Sequence, residues 1–371
     1  MGAVKGIQHL PTAGNGTDLT DYASKGTSLR DILKSEGKIK RFSIVNGADM
    51  IKLDPDPVQW IVEGLIAKDT KSVLGGMTGS NKSYFGMELG ISISYGVEKF
   101  MDYDIREQMK VLYVNLEVSD SEVHRRYKNI TKNLGVSKRI NKNFMWNTNL
   151  EGSFQDQWDD IDGMITQERP DLVIVDNLYA STGVNLSRNN EIKQVLGTID
   201  DVVKRHGITL MLIAHFNKSQ GEMELSLERM QGASSLQNWL EFSILLGKST
   251  IDPDLRLMKI GKSRFSFVPS QHMMLKWTEE TYLFEKLGIA DNPAAHFVAN
   301  KKAENWSMAL DDLPEEFDRE MFVNVVQFSL GKTQRTADRW LKNMESLGFI
   351  KKKYKNVWTK TDLKIISEDE D

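Results

Sequence analysis

The sequence predicts an α/β protein with a mainly parallel sheet, followed by a small, basic winged helix-turn-helix module. Three observations carry this reading. Six short apolar runs are continuous, not alternating, which suits strands buried on both faces. Helical stretches lie between them, and strand, helix, strand in succession implies a parallel sheet. Near the C-terminus the composition shifts, with nine Lys and Arg against two acids, Asp338 and Glu345, between Gly331 and Lys360.

Taken in order, the first 45 residues are rich in Gly, Thr, Asp and Ser and read as a flexible arm, in which "SLRDILKSEGKIKR" suits one short helix with Ser28 as N-cap. Two prolines in "DPDPVQWIVEGLI" favour a turn before Trp60. The strand-like runs are "SVLGG" (72–76), "KVLYVNLE" (110–117), "DLVIVDN" (171–177), "ITLMLIAHF" (208–216), "EFSILLGK" (241–248) and "LRLMKIGK" (255–262). After the first run, "YFGMELGISISYGVEKF" suits a helix. Over 191–207, Ile192, Val195, Leu196, Ile199, Val202 and Val203 share one helical face, and Gly207 can end that helix. Residues 272–287 read as a closing hairpin, and the polar, broken stretch 290–312 as a linker. Helix, helix and hairpin then follow in the order of a winged helix. The expected domains are an arm (1–45), an α/β domain (46–289), the linker (290–312), the winged helix (313–362) and an acidic tail (363–371).

With 371 residues, 40% hydrophobic and 27% charged, the chain can bury a sizeable core without staples. It has no cysteine, which excludes disulfides, thiol nucleophiles and cysteine-ligated metal sites. No secretory pattern and no membrane-length apolar run occurs, so a soluble cytoplasmic protein is expected.

"GGMTGSNKS" (75–83) lies between an apolar run and a helix. A phosphate-binding loop reads G-x-x-x-x-G-K-[ST]: backbone N–H groups and a helix N-terminus converge on phosphates, lysine adds charge at the β/γ-phosphates, and the hydroxyl holds Mg²⁺. Gly76, Lys82 and Ser83 fit, while Asn81 stands where the second glycine belongs. Asparagine tolerates positive φ, so the loop can survive the exchange. The candidate nucleotide set is Gly76, Thr78, Gly79, Ser80, Asn81, Lys82, Ser83 and Tyr84. A glycine-rich turn without a ligand fits the same stretch. Two acids at strand ends add weight: Asp176 for the magnesium shell, with Ser83, and Glu117 to polarise an attacking water. Each alone also reads as a cap or turn residue, but Lys82, Glu117 and Asp176 together sit where parallel sheets bind ligands.

This order resembles the RecA-like ATPases, in particular the RepA-type hexameric replicative helicases of plasmids and phages, over roughly residues 50–290. "GGMTGSNKS" is similar to their Walker A motif, "LYVNLEVS" to the strand with the catalytic glutamate, "PDLVIVDN" to Walker B and "LMLIAHFNKS" to the sensor strand with His215 at its tip. "RMQGASSLQNWLEFSILL" resembles the glycine-serine stretch before a late strand, and "MKIGKSRF" a K-x-R hairpin whose Lys262 and Arg264 would reach a neighbouring subunit's nucleotide. The resemblance implies a RecA-like P-loop NTPase core, a homo-oligomeric (hexameric) ring, and ATP with Mg²⁺ bound between protomers. It also implies helicase or translocase activity on single-stranded DNA in replication of a mobile element or phage, with a primase or initiator as a further partner. The alternatives are an ATP-switched DNA-binding regulator or loader, and a recombinase-like filament ATPase.

Two polar connections, 179–191 and 217–229, correspond to loops that touch single-stranded DNA in that family, making Arg188, Lys218 and Arg229 candidate phosphate contacts; ordinary surface loops fit equally. In the C-terminal module Ala337, Trp340, Leu341, Met344 and Leu347 make an inner face. Arg335, Arg339 and Lys342 fall outside it, and Lys351, Lys352 and Lys353 would lie in the wing. Such a cluster binds DNA phosphates without reading sequence, or mediates protein contacts.

Overall fold

Strands buried on both faces need helices on both sides, and the chain supplies them in alternation. The computed structural model describes residues 46–51, 54–147, 150–178, 189–216, 225–230, 233–298 and 300–363. Contacts divide the chain into residues 1–59 and 60–371. Within the first unit the described structure includes one helical turn, Gly47–Met50; the expected arm and its helix lie outside the described residues.

The second unit begins with β1 (Trp60–Val62) and β2 (Ile66–Ala67), then β3 (Lys71–Gly76) and α1 (Lys82–Tyr95). A small ribbon, β4 (Lys99–Phe100) and β5 (Tyr103–Asp104), precedes β6 (Val111–Asn115), α2 (Asp120–Asn133), β7 (Phe144–Trp146) and α3 (Phe154–Glu168). Next come β8 (Leu172–Asp176), α4 (Asn189–His206), β9 (Thr209–His215), α5 (Ala233–Trp239) and β10 (Phe242–Lys248). The antiparallel β11 (Leu255–Ser263), β12 (Met273–Trp277) and β13 (Phe284–Ile289) close a nine-stranded sheet of order β13-β12-β11-β10-β3-β9-β8-β6-β7. From β10 to β7 every pairing is parallel.

Side-chain alternation splits this sheet between two cores. Val111, Tyr113, Ile174 and Ile213 face α1 with Phe85, Leu89 and Ile93. Leu112, Val114, Val173, Val175 and Leu212 face the other side with Ile161 of α3 and Ile192 and Ile199 of α4. All six apolar positions named on α4 are buried, and Gly207 ends the helix at φ +63°. Because α1 is packed on most sides, it is apolar nearly all round instead of striped. Its N-terminus is thereby fixed against the C-terminal ends of β3, β8 and β9, which is what places the site.

The stretch 290–312 departs from the expected broken linker. A 3-10 turn at Pro293–Phe297 and helix α6 (Asn300–Asp311) occupy most of it. Ala295, Trp306, Ala309 and Leu313 are buried in one cluster with Phe322 and Phe349. The apolar positions of α6 recur at helical spacing inside a polar composition, so average polarity hid the buried face. Beyond it, β14 (Glu316–Asp318), α7 (Arg319–Phe328), α8 (Gln334–Ser346), β15 (Ile350–Tyr354) and β16 (Val357–Lys360) form a three-stranded sheet, order β14-β16-β15, with two helices. Among the described residues no helix is long and apolar enough to cross a membrane.

Candidate active site

Parallel register brings the strand ends together. Gly76 pairs with His215, and Asn115 with Asp176, so β3, β9, β8 and β6 finish at one edge. Gly76 is demanded by packing there: a Cβ would fall 2.1 Å from the Leu246 carbonyl oxygen. The chain then rises through the exposed Thr78 and Gly79, the latter at φ +76°, and drops through buried Ser80 into α1. The Ser80 hydroxyl donates to Met77 O at 2.7 Å and Lys82 Nζ donates to the same oxygen at 2.8 Å. Asn81 adopts the left-handed conformation expected of its type, φ 63° and ψ 30°, as the N-cap of α1. Its side chain does not cap the helix. Instead Asn81 Oδ1 accepts a 2.7 Å bond from Arg256 Nε of β11.

Burial pushes the Lys82 ammonium down to about 8, against the opposing pull of Asp176 and Glu117. Asp176 is 2% exposed, and burial raises its carboxyl above the usual range. Tyr113, inward-facing on β6, donates a 2.6 Å bond to Asp176 Oδ2. The Ser83 hydroxyl lies close enough to favour the charged carboxylate, while Asp176 Oδ1 is buried without a hydrogen-bond partner. A buried, orphaned carboxylate oxygen beside a hydroxyl suits a hard divalent cation such as Mg²⁺. Among the described residues there is no group of three or more His, Cys, Asp or Glu side chains that could hold a metal by itself. Nucleotide phosphates and water would complete such a shell.

Glu117 follows β6, with its side chain 42% exposed. Asn177 Nδ2 donates to Glu117 Oε2 at 2.9 Å and lies 3.2 Å from His215 Nε2. Nε2 is therefore the acceptor, which fixes the proton on Nδ1. The direct Glu117–His215 approach is 3.9 Å, and burial and Lys82 hold the imidazole below its ordinary pKa. The link between them is thus the Asn177 amide, not a charge pair. Four expected residues, Lys82, Glu117, Asp176 and His215, are brought together. Tyr113, Asn177 and Arg256 are additions that carried no local sequence signal beyond Asn177 following Asp176. Tyr84 packs edge-on against Tyr282, ring centroids 4.9 Å apart, and lies under the Arg126 guanidinium at 4.3 Å.

Lys262 and Arg264 are not part of this cluster. Lys262 lies opposite Ser243, itself level with Val73, midway along β3. Arg264 N–H bonds Glu241 O, and Glu241 N–H bonds Lys71 O. At ~3.3 Å per residue the two are ~10 and ~17 Å back along the sheet from Gly76. Lys262 donates to Gln237 O, and Arg264 Nη2 to Asn238 O at 3.0 Å.

Of the candidate nucleic-acid contacts, Arg188 and Lys218 lie outside the described residues. Arg229 ends a short 3-10 turn and packs its guanidinium over Phe216 at 5.3 Å, half-buried. Arg335, Arg339 and Lys342 are exposed on α8, and Lys351, Lys352 and Lys353 on β15. Lys352 lies over the Trp358 ring at 5.7 Å, and Lys353 pairs with Glu316.

Residues 38–221 match the family model described as AAA domain, a span that includes the phosphate loop, Glu117, Asp176 and His215 and stops before Lys262 and Arg264. No curated protein matches the sequence. Among solved structures, a KaiC-like protein from the hyperthermophilic archaeon Pyrococcus horikoshii OT3 is similar at 14% identity and a TM-score of 0.43, over 61% of this chain and 93% of that one. The family match and the loop geometry together support a P-loop ATPase domain, a class that typically uses ATP with Mg²⁺.

Proposed function

We propose that the chain is an ATP-dependent, ring-forming helicase or translocase acting on single-stranded DNA in the cytoplasm, in replication of a mobile element or phage. The observation that carries this reading is the separation, on one sheet, of the phosphate-site residues from a basic pair. Lys82, Glu117, Asp176 and His215 gather at the C-terminal edge, while Lys262 and Arg264 sit toward the opposite edge. Cations placed there would serve phosphate chemistry on another subunit's nucleotide. A head-to-tail repeat of that contact gives a ring where the rotation closes and a filament where it does not, and the ring, a hexamer, is the form proposed.

Within one site the roles follow from the geometry. The loop N–H groups and the start of α1 bind phosphate; Lys82 exchanges Met77 O for the β/γ-phosphates. Ser83 and Asp176 would hold Mg²⁺, which supplies charge neutralisation when bound. Glu117 orients and deprotonates the attacking water, and Asn177 ties its carboxylate to His215, so a change at the γ-phosphate reaches both. The domains proposed are those of the sequence reading, with 290–312 packed into the C-terminal module. The two helices and the hairpin of that module support reading it as a winged helix, and its exposed basic side chains on α8 and β15 suit phosphate contacts. A primase or initiator would join at the replication start.

A second reading has one specific support: Asn81 replaces the loop glycine, which suits ATP used as an assembly switch by a regulator or loader. Steady-state ATP hydrolysis with and without single-stranded DNA separates the two. DNA-stimulated turnover is expected, falling by about 10²–10⁴ in Glu117→Gln and lost in Lys82→Ala. ATP binding without turnover under either condition would remove the motor and leave the switch.

A further inference from the structure

Asn81 and Arg256 are 175 positions apart in sequence, yet their side chains form a 2.7 Å bond at the base of the phosphate loop. Arg256 is 4% exposed. It emerges from the β10–β11 turn, donates to Pro253 O and to Leu255 O at 2.9 Å, and lies 5.8 Å from the Trp277 ring. Burying a guanidinium this deeply costs free energy unless its donors are used. Burial accordingly pulls Arg256 down to about 10. The turn that carries it is anchored on its far side too: Ser249 Oγ lies 2.9 Å from His296 Nδ1, Thr250 N–H bonds His296 O at 3.0 Å, and Ile251 packs against the C-terminal cluster. Arg256 is therefore a fixed point, and Asn81 is the loop residue it holds.

The residue it holds is the one with an unusual requirement. A loop that turns into a helix through φ 63° is free for glycine and costs some strain for asparagine. Asparagine in that place commonly spends its side chain on the helix N-terminus, and here it does not.

We propose that Arg256 is a positioning residue for the phosphate loop: its bond to Asn81 holds the left-handed turn that a glycine would adopt unaided, and so keeps the loop in its phosphate-receiving shape. The inference rests on reading residues 76–83 as a nucleotide-binding loop. It also gives the C-terminal module a mechanical connection to the loop, through the 249–256 turn.

A double-mutant cycle of Arg256→Gln and Asn81→Gly tests it, with two readouts on the full chain: amide hydrogen exchange over 77–82 without nucleotide, and equilibrium ADP binding. Arg256→Gln alone is expected to speed loop exchange and weaken ADP binding, each about tenfold, the size of one lost charge-assisted bond. Asn81→Gly supplies the second background, whatever its own ADP affinity, because glycine holds the left-handed turn without a partner. Adding Arg256→Gln to Asn81→Gly should then cost little further, since the coupling has gone. Equal cost of Arg256→Gln in both backgrounds, including equal loss of folding, would reduce Arg256 to a general packing residue and overturn the proposal. Loop exchange unchanged by Arg256→Gln would overturn it as well. Failure of the parent chain to bind ADP would remove the nucleotide reading instead, and the exchange data would still decide the coupling.

Discussion

At the scale of single residues, the phosphate loop shows two different reasons for a glycine. Asn81 occupies a position where glycine's backbone freedom is useful but replaceable, given an asparagine and a partner. Gly76 occupies one where no side chain fits, because a Cβ would overlap the Leu246 carbonyl oxygen, backbone that cannot rotate away. Gly76→Ala is therefore expected to force β3 and β10 apart at the foot of the loop and cost about 1–3 kcal/mol or more. Thermal unfolding should show it as a fall of several degrees, with weakened nucleotide binding. An unchanged midpoint would mean that β10 yields there freely. The sequence distinguished the lysine and serine of the motif without help, since their chemistry is specific. It could not distinguish the two glycine positions, because Leu246 and Arg256 reach the loop only through sheet pairing.

At the scale of elements, the strands were legible because burial on both faces leaves an uninterrupted apolar run, and α4 because one buried face leaves a stripe. Helix α1 was visible only as following the loop. It carries Glu88, 3% exposed, whose Oε2 accepts a 2.9 Å bond from Phe284 N–H of β13. Burial pushes this carboxyl up to about 8 from 4.5, only partly opposed by that bond. The folded-state pKa is above the unfolded one, so the native state holds the proton more tightly. Glu88's favourable contribution is complete below about 4.5 and is lost as pH rises through about 8. Glu88→Gln mimics the neutral carboxyl at every pH. The variant should match the parent near pH 4.5 and exceed it above pH 8, by on the order of a few kcal/mol. Melting profiles of the two proteins across that range check this, and parallel profiles would place the Glu88 carboxyl in contact with water. Helix α6 shows the converse limit of legibility: Trp306 and Ala309 are wholly buried, but lysines, asparagine and glutamate around them lowered the local hydropathy to that of a linker.

For the whole molecule, the decisive distances are the ~10 and ~17 Å that separate Lys262 and Arg264 from Gly76 along the sheet. Side chains of that length, already directed at the α5 carbonyls of Gln237 and Asn238, do not cover the gap to their own Lys82. If each completes a neighbour's site, the two halves of the machinery are separable by subunit. A Lys82→Ala chain lacks the phosphate loop function but keeps the basic hairpin; a chain with Lys262→Ala and Arg264→Ala keeps the loop and lacks the hairpin. Each alone should be nearly inactive. Mixed in equal amounts and allowed to exchange, they should regain ATP turnover, because an intact loop then meets an intact hairpin at roughly a quarter of the interfaces in a head-to-tail ring. Turnover of a mixture no higher than the mean of its components, with exchange verified by labelled subunits, would show that the hairpin does not act between subunits. The ring reading would then lose the geometric argument on which it rests. Recovery near the expected fraction would establish that the active site is shared.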